Sequence, residues 1–247
     1  MRESVHRYLY TFDSFEMFGS QHLWALSISL VLFIAIPIYA KQKLNPSQQD
    51  RFGAVIGFLV MGNYIVWVGL ELIAGTFDLK LHLPFHLCRF ANLIIPFVML
   101  KKNFRVYEVL YFWGFSGMFQ AAITPDISQA FPHFHFIRFW IGHNGLILAL
   151  IYATVVYEMK PTIISLKRAF IGLNAFFLLT IPVNLILDAN YFWIRGKPVN
   201  DLGEHIPSLL DYLGPWPWYI LSAEFVALAH FAVAYLPIYF IKKRNVT

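Results

Sequence analysis

Seven stretches of this chain are each apolar for about the 20 residues a helix needs to cross the hydrocarbon core of a bilayer. They cover approximately 20–40, 52–75, 84–100, 104–124, 137–158, 168–189 and 216–241. Composition agrees: 58% of residues are hydrophobic, 18% aromatic and only 13% charged, against about 25% charged in an ordinary soluble domain. The predicted fold class is all-α, a polytopic membrane helical bundle of about seven transmembrane helices. A single integral membrane domain takes up residues 1–247. The third stretch is the shortest. Pro84 and Pro96 bracket it and Arg89 lies inside it, so it reads either as a re-entrant segment or as a short span with Pro84 in the first turn, where a missing N–H costs little.

The formal charge of +5 and pI near 9.2 do not indicate nucleic acid, because the cations sit in short loops between apolar runs. Counting them orients the bundle. Lys41, Lys43 and Arg51, then Lys101, Lys102 and Arg105, then Lys160, Lys167 and Arg168, and finally Lys242, Lys243 and Arg244 lie on one side. Arg2, Arg7, Lys80, Arg138, Arg195 and Lys197 lie on the other, twelve against six. The prediction is a multi-pass cell-membrane protein with its N-terminus outside and its C-terminus cytoplasmic. The polar opening "MRESVHRYLYTFDSFEMF" has no basic stretch followed by an apolar core, so no cleaved leader is expected. "GAVIG" at 53–57 has the small-xxx-small spacing that lets helices approach closely.

That orientation places polar groups from several spans at similar depth on the outer side. They are His22, Glu71, Cys88, Thr124, Asp126, His143, Asp188 and Asn190. Ionisable groups in a membrane are costly and suggest function by default. The plainer readings remain open. A lone cysteine is commonly a small buried hydrophobe, His143 can brace two helices, and Glu71 with Arg89 can be an ion pair that lets both survive burial. No Cys or His spacing matches a zinc site, so no metal and no cofactor is expected.

Thiol chemistry has the stronger physical case. "LPFHLCRF" at 83–90 holds the chain's one cysteine, with His86 and Arg89 beside it at the start of a helix. A neighbouring cation and a helix N-terminus both favour a thiolate, and the helix's free N–H groups can hold a developing oxyanion. His143, from another span, is placed to take the thiol proton and return it to a leaving group.

The segments "LPFHLC", "YFWGFSGMFQAAITPDISQAFPHFHFIRFWIGHNG" and "NYFWI…LGPWPWY" resemble the bacterial YwaF-type integral membrane proteins over roughly residues 15–241. Those are similar to a vertebrate transmembrane acyltransferase of ether phospholipids. The wider superfamily includes membrane hydrolases of fatty-acid esters that use threonine and histidine. The resemblance implies a thiol-dependent lipid acyltransferase or acyl-ester hydrolase with Cys88 as nucleophile and His143 as its partner. On this reading Glu71 or Asp126 orients the histidine. Arg89, Asn144 or helix amides stabilise the oxyanion or grip a lipid phosphate, and His86, Thr124 and Asn190 line the site. Membrane lipids are the expected substrates. The alternative is a small-molecule transporter or ligand-binding sensor with an outer polar site, or a structural subunit in which Cys88 is inert.

Overall fold

The computed structural model describes residues 1–11, 15–199 and 205–244, the last three by backbone alone. The cationic side chains of Lys242, Lys243 and Arg244, used in the charge count, and the loop at residue 200, where an external position is expected, lie outside that description. The described residues are helical apart from loops and turns, and their one β pairing is an isolated bridge between Val199 and His205.

The helices are α1 (Arg2–Leu9), α2 (Ser20–Lys43), α3 (Pro46–Ala74), α4 (Leu87–Lys101), α5 (Phe104–Trp113), α6 (Phe119–Ile123), α7 (Phe134–Val155), α8 (Ile163–Leu187) and α9 (Trp218–Arg244). A π-helical turn, Gly114–Met118, joins α5 to α6. Among the described residues, α2, α3, α7, α8 and α9 are long and apolar enough to cross a membrane. The other two sequence-predicted spans fall short as single α-helices. α4 has 15 residues, and the 104–123 segment is divided by its π turn into pieces of 10, 5 and 5.

Local sequence sets the helix ends. Asn45 caps α3 in a reciprocal box with Gln48 (both bonds 3.0 Å), and Pro46 takes the first position, where no donor is lost. Gly75 then ends α3 at φ 76°, a left-handed conformation that glycine adopts without strain. Thr162 and Ser165 form the corresponding box on α8. One expectation fails here. Pro84 is not in the first turn of α4, because the helix begins three residues later, after His86, and 84–86 remain loop.

Burial explains why these helices need lipid. Only 11% of the apolar window of α2 is buried, against 67% for α7. Trp24, Leu30 and Val31 of α2 and Leu185 and Ile186 of α8 are all more than half exposed, apolar surface that water would not tolerate. α7 is the central post, packed against α2, α3, α4 and α6. Apolar burial gives no drive to helix association inside lipid, so close packing and interhelical hydrogen bonds must supply it. Gly57, from the "GAVIG" stretch, faces Met99 of α4 so closely that a Cβ there would meet its Cβ at 3.0 Å. Asn63 donates to the Arg138 carbonyl (3.0 Å), Asn144 to Ser29 Oγ (2.6 Å) and Trp113 to the Ala169 carbonyl (3.1 Å).

The two ends of the bundle differ in chemistry. At one, buried Glu108 accepts from Ser165 Oγ (2.6 Å), Arg105 (3.2 Å) and Arg168 (3.2 Å). Lys41 pairs with Glu158 and Lys102 with Asp50, each bridging parts of the chain far apart in sequence. The other end holds the thiol.

Candidate active site

Cys88 is the second residue of α4. The position before its helix is His86, whose side chain makes no capping bond, so the first-turn amides have no side-chain partner. The His86 ring packs instead against Tyr191 (5.3 Å) and Trp193 (5.1 Å). The delayed helix start therefore puts the thiol nearer the free amides than the sequence suggested.

His143 is the tenth residue of α7. Its Nδ1 lies 3.0 Å from the carbonyl of Phe139, one turn earlier, and the ring stacks on Phe139 at 4.2 Å. A carbonyl only accepts, so Nδ1 carries the proton and the lone pair is left on Nε2. The imidazole of His143 and the thiol of Cys88 lie within electrostatic range of each other across the α4–α7 contact. Arg89 and Asp126 are both in electrostatic range of the thiol, and Asp126 of the imidazole as well.

Glu71 does not join this group as expected. It is buried, with Oε1 accepting from Trp67 Nε1 (2.9 Å) and Oε2 from the Tyr10 hydroxyl (3.1 Å) and Thr76 Oγ1 (2.5 Å). His82 Nε2 stands 3.8 Å from Oε1, and burial in this loop holds its imidazole below the ordinary histidine value. The anticipated Glu71–Arg89 ion pair is absent among the described residues: Arg89 donates to the Leu81 carbonyl and lies over the Trp67 ring at 4.6 Å. The backbone carbonyl of Phe139, not Glu71, orients His143.

Three other expected site residues are engaged elsewhere. Asn144, one position round the helix from His143, reaches α2 through Ser29. Thr124 caps α6 and bonds only within its own turn, to Gln120. Asn190 braces its loop by donating to the Gly196 carbonyl (2.9 Å) and accepting from the Arg195 amide (2.9 Å).

Two residues not singled out in the sequence belong at the site. Asn92 lies one turn after Cys88, and its side-chain amide donates to the carbonyls of Cys88 (3.3 Å) and Gly142 (2.9 Å). It ties the thiol's turn to the turn that precedes His143. Its i, i+4 spacing from Cys88 in an apolar run was the available signal. Arg138 was counted as a loop cation. Because α7 starts at Phe134, it is the fifth helical residue, and its guanidinium lies 4.0 Å from the centre of the Trp67 ring. Among the described residues, no three His, Cys, Asp or Glu side chains converge as a metal site would require.

An uncharacterized protein of Treponema pallidum (strain Nichols) is 25% identical to this chain over 191 residues, covering 76% of this chain and 78% of that protein. No solved structure matches the chain. The profile of the TMEM164 family matches residues 17–235, nearly the whole length that carries the apolar helices and the thiol–imidazole pair. On that match the chain belongs to the TMEM164 family, a family of membrane proteins.

Proposed function

We propose that this protein is a membrane-embedded lipid acyltransferase or acyl-ester hydrolase, with Cys88 as nucleophile and His143 as base and then acid. The observation that carries the reading is the pairing of the chain's one thiol with an imidazole from another helix, at a helix start whose amides have no side-chain cap. The resemblance of the "LPFHLC" and "IGHNG" segments to YwaF-type proteins and to a vertebrate phospholipid acyltransferase supports the same roles.

The steps balance without a cofactor. His143 Nε2 takes the thiol proton, and the sulfur attacks the ester carbonyl carbon of a lipid. The oxyanion that forms is held by the α4 amides. The C–O bond then breaks, the alcohol oxygen leaves with the proton from His143, and the acyl group remains as a thioester on Cys88. A lysolipid hydroxyl gives transfer and water gives hydrolysis. In either case the incoming oxygen loses its proton to His143 as it attacks, and the sulfur departs with that proton.

All seven apolar segments cross the cell membrane in this proposal, the N-terminus outside, so that the thiol works in the outer half. The test is intact mass after incubation with labelled phospholipid. Wild type should gain one acyl mass, released by hydroxylamine. Cys88→Ser should gain none, and His143→Ala should slow acylation at least tenfold while remaining folded in detergent. Full acyl transfer by Cys88→Ser would overturn the thiol mechanism. A His143→Ala protein that unfolds would make the histidine a brace.

A further inference from the structure

The Trp67 indole is approached by two guanidiniums from two different helices. Arg89, the third residue of α4, lies 4.6 Å from the ring centre, and Arg138, the fifth residue of α7, lies 4.0 Å from it. Their guanidinium carbons therefore stand no further apart than those two distances together. Among the described residues neither forms an ion pair within 4.0 Å, although carboxylates are close. Glu71 has both oxygens occupied by Trp67, Tyr10 and Thr76. Asp126 is exposed and acts on both arginines only through space. Arg138 Nε is buried with no hydrogen-bond partner.

The placement is unfavourable by itself. Both cations sit in the first two turns of helices, at the positive end of the helix dipole, and neither α4 nor α7 has an acidic residue in its first turn. Like charges gathered at two helix starts, with an orphaned donor among them, are the arrangement that an oxyanion satisfies. Stacking on the indole orients both planar forks without using their N–H groups.

We infer that Arg89, Arg138 and Trp67 form a phosphate-binding subsite beside Cys88, which holds the phosphate of the lipid whose acyl ester the thiol attacks. The role in substrate placement rests on the acyl-transfer reading. The binding of phosphate does not. Arg89 directly follows the nucleophile in the chain, so a phosphate gripped there would bring the ester-bearing end of the same molecule to the sulfur. Arg89 and Arg138 are in this sense positioning residues for the donor.

The test uses full-length protein in a phosphate-free maltoside detergent, with bound species read by native mass spectrometry. The probes are dioleoyl phosphatidylcholine, dioleoylglycerol (the same chains without phosphate) and inorganic phosphate. In a Cys88→Ser background, which cannot form a thioester, Arg138→Gln should weaken phosphatidylcholine binding at least tenfold and leave dioleoylglycerol binding unchanged. Arg138→Lys should recover part of the loss, since a lysine keeps the charge but not the fork. Arg89→Gln should behave as Arg138→Gln does, so the conclusion does not depend on one variant folding.

Inorganic phosphate that competes with phosphatidylcholine supports the site with a lipid occupant. Phosphate that binds in an Arg138-dependent way, with no binding of phosphatidylcholine, supports a soluble phosphate as occupant. Equal binding of phosphatidylcholine to the parent and both glutamine variants overturns the inference. The two readings fail separately. If wild type forms no acyl adduct but Arg138→Gln still loses phosphatidylcholine, acyl transfer falls and the phosphate subsite stands. If the adduct forms equally fast in wild type and Arg138→Gln, the subsite falls and acyl transfer stands.

Discussion

Gly142 faces the amide that joins the two halves of the site, so a methyl group there gives a direct test of the brace. A Cβ at position 142 would meet the Asn92 side-chain amide at 3.0 Å and Asn63 Nδ2 at 3.3 Å. Overpacking of this kind costs about 1–3 kcal/mol, while replacing a mid-helix glycine by alanine returns up to about 1 kcal/mol. Gly142→Ala should therefore destabilise by about 0–2 kcal/mol. Asn92→Ala removes two hydrogen bonds, one to the Cys88 carbonyl within α4 and one to the Gly142 carbonyl of α7, the second of a kind worth about 0.6 kcal/mol between helices in a membrane. Both carbonyls lie inside helices and keep their ladder bonds, so the loss should stay near 1 kcal/mol. In the double variant the new methyl group meets a shortened neighbour at 92. Its cost should fall about 1 kcal/mol or more below the sum of the singles.

Cys88 is the chain's one cysteine, so alkylation by a lipid-soluble maleimide reads this site alone. A misplacement of about 1 Å between reacting groups can cost about a hundredfold in rate, and each single variant should slow alkylation at least threefold. Denaturant titration in detergent supplies the stabilities. Additivity of the two substitutions within about 0.5 kcal/mol, together with wild-type alkylation rates, would refute the claim that Asn92 sets the thiol–imidazole geometry.

Other outcomes follow from the two ends of the molecule. Glu108→Leu strands Arg105 and Arg168 around a buried site; because both guanidiniums are partly exposed, the loss should be about 2 kcal/mol, read from the same titrations. Reporter fusions should place the region after Thr247 in the cytoplasm and the region near residue 200 outside, as the loop charges require; the reverse result would move the thiol to the inner half. In the loop before α9, the Ser208 amide, His205 and Lys197 hold the Asp211 carboxyl below the usual carboxylate range. Its contribution is present above the ordinary value of about 3.9 and lost as pH falls through the lower folded value. Protease resistance of residues 205–219 should fall over that acid range, and Asp211→Asn should remove the dependence.

The helical class and the approximate positions of seven segments were legible because apolar run length is a one-dimensional property of the chain. What depends on rotation about a helix axis was not. The sequence paired Glu71 with Arg89 by expected depth, yet Glu71 is turned toward Tyr10 and Thr76 while Arg89 is turned onto Trp67. Depth alone could not distinguish those partners. Arg138 was hidden for a different reason. The predicted span starts at 137, so Arg138 stood at its edge and was counted with the outer-side charges, whereas α7 is capped by His133 and begins at Phe134, which carries the arginine into the second turn. Asn144 and His143 are adjacent in sequence but diverge by one helical step, which sends one to α2 and the other to the thiol.

The central place of α7 also bears on how the protein is made. Ser29 of α2, Asn63 of α3 and Asn92 of α4 each have a partner on α7: Asn144, the Arg138 carbonyl and the Gly142 carbonyl. During synthesis those three polar side chains enter the bilayer before residues 134–155 exist. Each of those interhelical bonds must wait until the later helix arrives, although Ser29 and Asn92 also bond the Ala25 and Cys88 carbonyls of their own helices. Cys88 likewise meets His143 only once α7 has emerged. Arrival of α7 closes the three hydrogen bonds and pairs the thiol with its imidazole in the same event.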